Sequence, residues 1–125
     1  MPKRAIMSDQ AAPPGGPYSH AVIAGDTVYL AGAVPTRPDG TWVKGSFAEQ
    51  AHAAFRNLAA TAEAAGASLD QAVRLGVYLR DFDDFAELNE IYKQYVKGDN
   101  LPVRTTLPVA LVGFDIEIDA ILYLG

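Results

Sequence analysis

The sequence predicts an α/β (α+β) sandwich of order β-β-α-β-α-β-β, with two helices lying on one face of a mixed sheet. Three patterns predict it. Two stretches carry apolar residues at steps of three and four and end at glycine, which marks amphipathic helices. Several runs of seven to a dozen residues are rich in Val, Ile and Leu, which marks strands. The helical stretches fall between the strand-like ones, so sheet and helices form separate layers.

Ala21 to Ala24 and Thr27 to Val34 read as a hairpin turned at Gly25-Asp26. Ser46-Phe47-Ala48-Glu49 has the Ser-x-x-Glu form of a capping box, and Phe47, Ala51, Phe55, Leu58, Ala62 and Ala65 continue as a helix stopped by Gly66. Leu69 to Asp81 follows as a strand with Val73, Leu75, Val77 and Leu79 on one face. Asp84-x-x-Glu87 opens the second helix; its stripe is Phe85, Leu88, Ile91, Tyr92, Tyr95 and Val96, and Gly98 closes it. Val103 to Leu111 and Phe114 to Leu124 complete the sheet around Val112-Gly113. Two helices cover one sheet face only, yet Tyr29 and Tyr78 put large side chains opposite Val28, Leu30 and Leu122. A second copy of the chain is therefore expected on the open face.

At 125 residues the chain fits a single domain, residues 1–125. Residues 1–12 carry no strand or helix pattern and could be a flexible N-terminal segment. The absence of cysteine excludes disulfides, thiolate metal sites and thiol nucleophiles. Ten Lys and Arg against 15 Asp and Glu leave a net charge of −5, which argues against a nucleic-acid partner, since phosphate binding needs clustered cations. The first residues hold a basic pair without the apolar run of a secretory signal, and no stretch approaches the ~20 apolar residues of a membrane span. A cytoplasmic protein without a membrane partner is expected.

The last strand carries the most unusual chemistry. Asp115, Glu117 and Asp119 alternate with apolar residues and so share one face. Three like charges at that spacing repel unless water or cations meet them. The face is either simply solvated, or one carboxylate, the central Glu117, serves an enclosed site as a general base. Arg104 lies out of phase with Val103, Thr105 and Leu107, so with Thr106 it leaves the core face. Its fork of donors suits a carboxylate, whether Glu117, a ligand acid or a surface partner. Tyr18, after the stiff Gly15-Gly16-Pro17, is either aimed into a site or packed at a sheet edge. Trp42 reads as packing or interface. His20 and His52 are too few and too far apart for a zinc site, and Ser19 and His20, as neighbours on a strand, cannot form a nucleophile–base pair.

Six segments together resemble the RidA/YjgF-like family of reactive-intermediate deaminases, from about Ala12 to Ile121. They are Gly16-Pro17-Tyr18-Ser19-His20-Ala21 (the family reads Gly-Pro-Tyr-Ser-Gln-Ala), Leu30-Ala31-Gly32-Ala33-Val34-Pro35, Ala62-Glu63-Ala64-Ala65-Gly66, Asp84 through Tyr92, Pro102-Val103-Arg104-Thr105-Thr106, and Ile116 through Ile121. The resemblance implies a chorismate-mutase-like subunit, a homotrimer with clefts between neighbours, and hydrolysis of enamines and imines such as 2-aminoacrylate to 2-oxo acids and ammonia, without cofactor or metal. Carried over by motif, Arg104 binds the substrate carboxylate, Glu117 positions the attacking water and Tyr18 lines the pocket. Asn89 lies near it, and backbone of Gly32 and Thr106 touches the ligand. Two departures stand out: Ala31 replaces the family's pocket serine, and Thr106 its usual cysteine. Ala31 makes a dedicated deaminase for a larger unsaturated amino acid, of the 2-aminomuconate type, an alternative; a non-catalytic trimer binding 2-oxo acids is another.

Overall fold

A computed structural model describes residues 2–125. Its strands are β1 (Arg4–Ile6), β2 (Ala21–Ala24), β3 (Thr27–Ala33), β4 (Ala72–Leu79), β5 (Val103–Pro108) and β6 (Ile116–Tyr123); its helices are α1 (Phe47–Ala64) and α2 (Phe85–Tyr92). They form one six-stranded sheet in the order β1-β2-β3-β6-β4-β5, the chorismate-mutase-like arrangement. β6 runs antiparallel to both β3 and β4, while β4 and β5 are parallel with α2 as their crossover.

Helix α1 forms where the sequence places its signals. Ser46 Oγ accepts from Glu49 N–H at 3.2 Å and the Glu49 carboxylate accepts from Ser46 N–H at 3.3 Å. At the other end Gly66, at φ +77°, donates to Glu63 and Ala67 donates to Ala62, the two bonds of a Schellman stop. Between them Ala51, Ala54, Phe55, Leu58 and Ala62 are fully buried against Val28, Leu75, Val77, Ile116, Ile118 and Leu122 of the sheet. The alanines let the helix lie close, and the aromatic and leucine side chains fill the layer.

Four expectations are corrected. The N-terminal segment contributes a strand, β1, which pairs with β2 from Arg4↔Ile23 to Ile6↔Ala21, so the order begins β-β-β. Leu69–Gln71 is a 3₁₀ turn, and the register with β6 slips between Ala72 and Arg74; Val73 is the extra residue, 46% exposed instead of sharing the core face. Helix α2 stops at Tyr92 and tightens into i→i−3 turns, which still place Val96 in the core and stack Tyr95 on Phe55 at 4.7 Å. Finally, the parallel register sets Arg104 beside Leu75 and Thr106 beside Val77, so these two face the helix layer while Val103, Thr105 and Leu107 face out.

The sheet face away from the helices is uncovered in the single chain. Tyr29, Val103, Leu107 and Tyr123 stand on it at 48, 70, 47 and 51% exposure. No described helix is long and apolar enough to cross a membrane.

Candidate active site

Glu117 projects from β6 onto that open face, opposite Tyr78 of β4. Beside it the β3 register slips between Leu30 and Ala33, which frees Ala31 and Gly32 from regular pairing. The Glu117 side chain lies in the space this leaves: a Cβ on Gly32 would overlap the carboxylate and sit 3.0 Å from its Cδ. Burial, and then the neighbouring Asp119, push the Glu117 carboxyl above the usual carboxylate range. Asp119 itself is engaged, accepting from Arg74 Nη1 and from the Tyr78 hydroxyl, each at 3.1 Å. Glu117 joins none of the ion pairs among the described residues. It is a half-buried carboxylate with no side-chain partner among the described residues.

Asp115 does not share this face. It precedes the strand proper and turns to α1, accepting from Gln50 Nε2 at 3.0 Å while its own N–H donates to Gln50 Oε1 at 2.8 Å; Arg80 pairs with its carboxylate. The alternation of the sequence holds from Ile116 onward only.

Next to Gly32 a cavity of about 350 Å³ opens between the N-terminal segment and the 34–42 loop. Tyr18, His20, Ala31, Gly32 and Trp42 line it. The Tyr18 hydroxyl accepts from Gly15 N–H at 3.1 Å across a tight turn, which aims the phenol and leaves its own proton free to donate. Trp42 leans on Phe114 at 5.0 Å. Asn57 of α1 ties the loop down by donating from Nδ2 to the carbonyls of Val34 and Thr36, each at 2.8 Å.

Arg104 lies on the other side of the sheet. Its guanidinium rests over Tyr92 at 4.7 Å and Phe85 at 5.5 Å from the ring centroids, and Nη2 donates to Asn89 Oδ1 at 2.8 Å. Burial pushes the Tyr92 phenol above its usual range, so it stays a neutral ring under the cation. No carboxylate pairs with Arg104 among the described residues, so its charge and most of its five donors remain open to a ligand. Asn89 touches Arg104, and Thr106 shares its face. The sequence-derived residues thus divide: Glu117 lies against Gly32 on the open face, Tyr18 and Ala31 line the cavity beside Gly32, and Asn89, Arg104 and Thr106 lie on the helix face. A direct Arg104–Glu117 pair within one chain does not form.

Three contributors escaped the sequence reading. Phe85 and Tyr92 look like ordinary stripe residues, because helix periodicity does not reveal that a parallel neighbour strand aims an arginine at them. His20 accepts from Ser8 N–H at 2.9 Å through Nδ1 and donates from Nε2 to Ala12 C=O at 2.8 Å, a clasp that no spacing signals. Among the described residues no group of three His, Asp or Glu could hold a metal ion.

A family model described as Endoribonuclease L-PSP matches residues 9–124, nearly the whole chain. The 2-iminobutanoate/2-iminopropanoate deaminase of Homo sapiens is 40% identical over 98% of this chain and 91% of its own. The chain belongs to the RidA/YjgF family. Among solved structures, RidA from an Antarctic Psychrobacter superposes with a TM-score of 0.88 at 37% identity, covering 96% of this chain and 98% of that one. Escherichia coli TdcF with bound serine gives 0.88 at 29% identity, with the same coverage. In this RidA/YjgF chain both charged motif residues, Arg104 and Glu117, are present and make no ion pair among the described residues, while Ala31 offers the cavity a methyl group.

Proposed function

We propose that this protein is a cofactor-free hydrolase of 2-imino acids of the 2-aminoacrylate/2-iminopropanoate type, releasing 2-oxo acids and ammonia. Each site joins Arg104 of one copy to Tyr18, Gly32 and Glu117 of the next in a homotrimer. The observation that carries this reading is the pair of uncompensated charges on opposite sheet faces: a guanidinium braced by two rings and a half-buried carboxylate with no partner. Both suit a carboxylate-bearing substrate that reacts with water, and only a neighbouring copy could bring them together. Deamination is the chemistry named for the human relative, and the serine held by TdcF is a small amino acid of similar form.

The chemistry asks little of the chain. An imine carbon is already electrophilic, so orientation and proton transfer suffice. Arg104 forks the substrate carboxylate. Glu117 takes a proton from water as its oxygen bonds to the imine carbon, then returns one to the nitrogen. The hydroxyl proton of the resulting carbinolamine then passes through Glu117 to the nitrogen as the C–N bond breaks, so that ammonia leaves and the C–O group becomes the 2-oxo group. The Tyr18 hydroxyl donates to the oxygen that forms.

Ala31 and the 350 Å³ cavity favour a second reading, in which the physiological substrate is a larger unsaturated amino acid. In either case the test is direct. A serine dehydratase generates 2-aminoacrylate in situ, and loss of the imine absorbance is followed with wild type and Arg104→Ala. Acceleration by wild type and none by the variant is expected. No acceleration by wild type overturns the deaminase reading, and calorimetric binding of 2-oxobutyrate without acceleration supports a metabolite-binding protein instead.

A further inference from the structure

His20 is the one buried imidazole, 6% exposed, and the proposed chemistry does not use it. Both ring nitrogens are engaged by main chain. A backbone N–H can only donate and a carbonyl can only accept, so the bonds to Ser8 and Ala12 fix the neutral tautomer with its proton on Nε2. The clasped stretch, Ser8 to Ala12, carries Ala11 and Ala12, which form the cavity wall facing Tyr18, Ala31 and Gly32. The His20 carbonyl also accepts from Ala31 N–H at 2.9 Å, so one residue joins the wall to the β3 segment beside Gly32. β1 precedes this wall, and its three-residue pairing ends at Ile6↔Ala21, while Ala11 within the wall is buried.

We propose that His20 is the positioning residue of the Tyr18 cavity, clasping its N-terminal wall as a neutral imidazole and releasing it on protonation. An imidazolium carries a proton on each nitrogen, which would set Nδ1–H against Ser8 N–H, donor to donor. It would also place a charge in a cavity whose lining holds no charged side chain and, besides His20, one titratable group, Tyr18. From α1 the lining receives only the neutral Asn57 and Thr61, and from β3 only alanine and glycine; the Glu117 carboxylate of β6 lies against Gly32 without lining the cavity. On the clasped segment Asp9 is exposed and accepts from Gln10 Nε2 at 3.0 Å, and on β1 Arg4 is exposed. The clasp stands on this geometry alone; its consequence for ligand rests on the deaminase reading.

Amide hydrogen exchange read by NMR on the full chain tests it, from about pH 8 down to the acid limit at which the fold persists. Protection factors, corrected for intrinsic exchange, are compared for Ser8 and for β3 and β6 amides as internal controls. In wild type, Ser8 protection should fall about tenfold across this range while the controls hold, the loss of one part-buried hydrogen bond. In His20→Gln, whose amide donates and accepts at any pH, Ser8 protection should stay flat. In His20→Leu it should be low throughout. Wild-type protection as flat as that of the controls overturns the proposal, whether or not either variant folds. So does the same fall in wild type and His20→Gln. Calorimetry with 2-oxobutyrate, run in parallel, should show affinity falling with pH more steeply in wild type than in His20→Gln. A Ser8 response of the expected form in a protein that does not accelerate 2-aminoacrylate loss supports the clasp and overturns the deaminase reading.

Discussion

Glu117 shows what environment does to a single side chain. Burial and Asp119 disfavour its charged form, so its carboxyl titrates above the usual range. Because the base must be ionised to accept a proton, kcat/KM should decline with falling pH along a limb displaced upward from ordinary carboxylates. The same shift has a stability sign. A carboxyl whose folded pKa is raised favours the fold below its unfolded pKa and loses that advantage as pH rises through the folded one. Glu117→Gln should therefore melt higher than wild type at neutral pH, with the gap closing in acid, while losing turnover. Arg104→Lys keeps a cation but loses the fork and the ring contact, so KM should rise about tenfold or more with a smaller change in kcat. That Arg104 and Glu117 each stand opposite in phase to their apolar strand neighbours was legible in the sequence, but the expectation that Arg104 leaves the core face was not met. Which face each takes was not legible. Alternation defines two sides without naming them, and only the pairings Leu75↔Arg104 and Tyr78↔Glu117 decide.

At the scale of elements, the legible features were those written locally. The α1 box and its glycine stop are two short-range signals, and Ser46→Ala should lower stability by about 1 kcal/mol in denaturant titration. The β4 bulge and the early end of α2 were illegible because each depends on a partner. Val73 is displaced by a slip against β6, and Tyr95 leaves helical geometry yet still stacks on Phe55. The β3 slip matters most for chemistry, since it seats Gly32 under the Glu117 carboxylate. Gly32→Ala should displace that carboxylate and cut kcat strongly. The melting temperature should fall far less than for a core truncation such as Leu58→Ala, which costs roughly 2–5 kcal/mol. A thermal melt beside a turnover assay separates the two effects.

For the whole molecule, the sheet is the organising fact. One face is covered by helices and holds Arg104 at its edge strand; the other is bare, partly apolar, and holds Glu117. The sequence showed that two helices leave a face uncovered, because that follows from counting layers. It could not show that the two charged site residues are separated by the sheet, which depends on strand order and register. A trimer that brings the edge of one sheet to the open face of the next accounts for the bare face and for the divided site together. Complementation between subunits tests this most directly. Arg104→Ala and Glu117→Gln are each prepared, then co-expressed as mixed oligomers, and imine loss is measured with 2-aminoacrylate generated in situ. Each variant alone should be nearly inactive, and the mixed oligomers should regain a substantial fraction of wild-type turnover, because some interfaces pair an intact Arg104 with an intact Glu117. Mixed oligomers no more active than the separate variants would contradict the shared site.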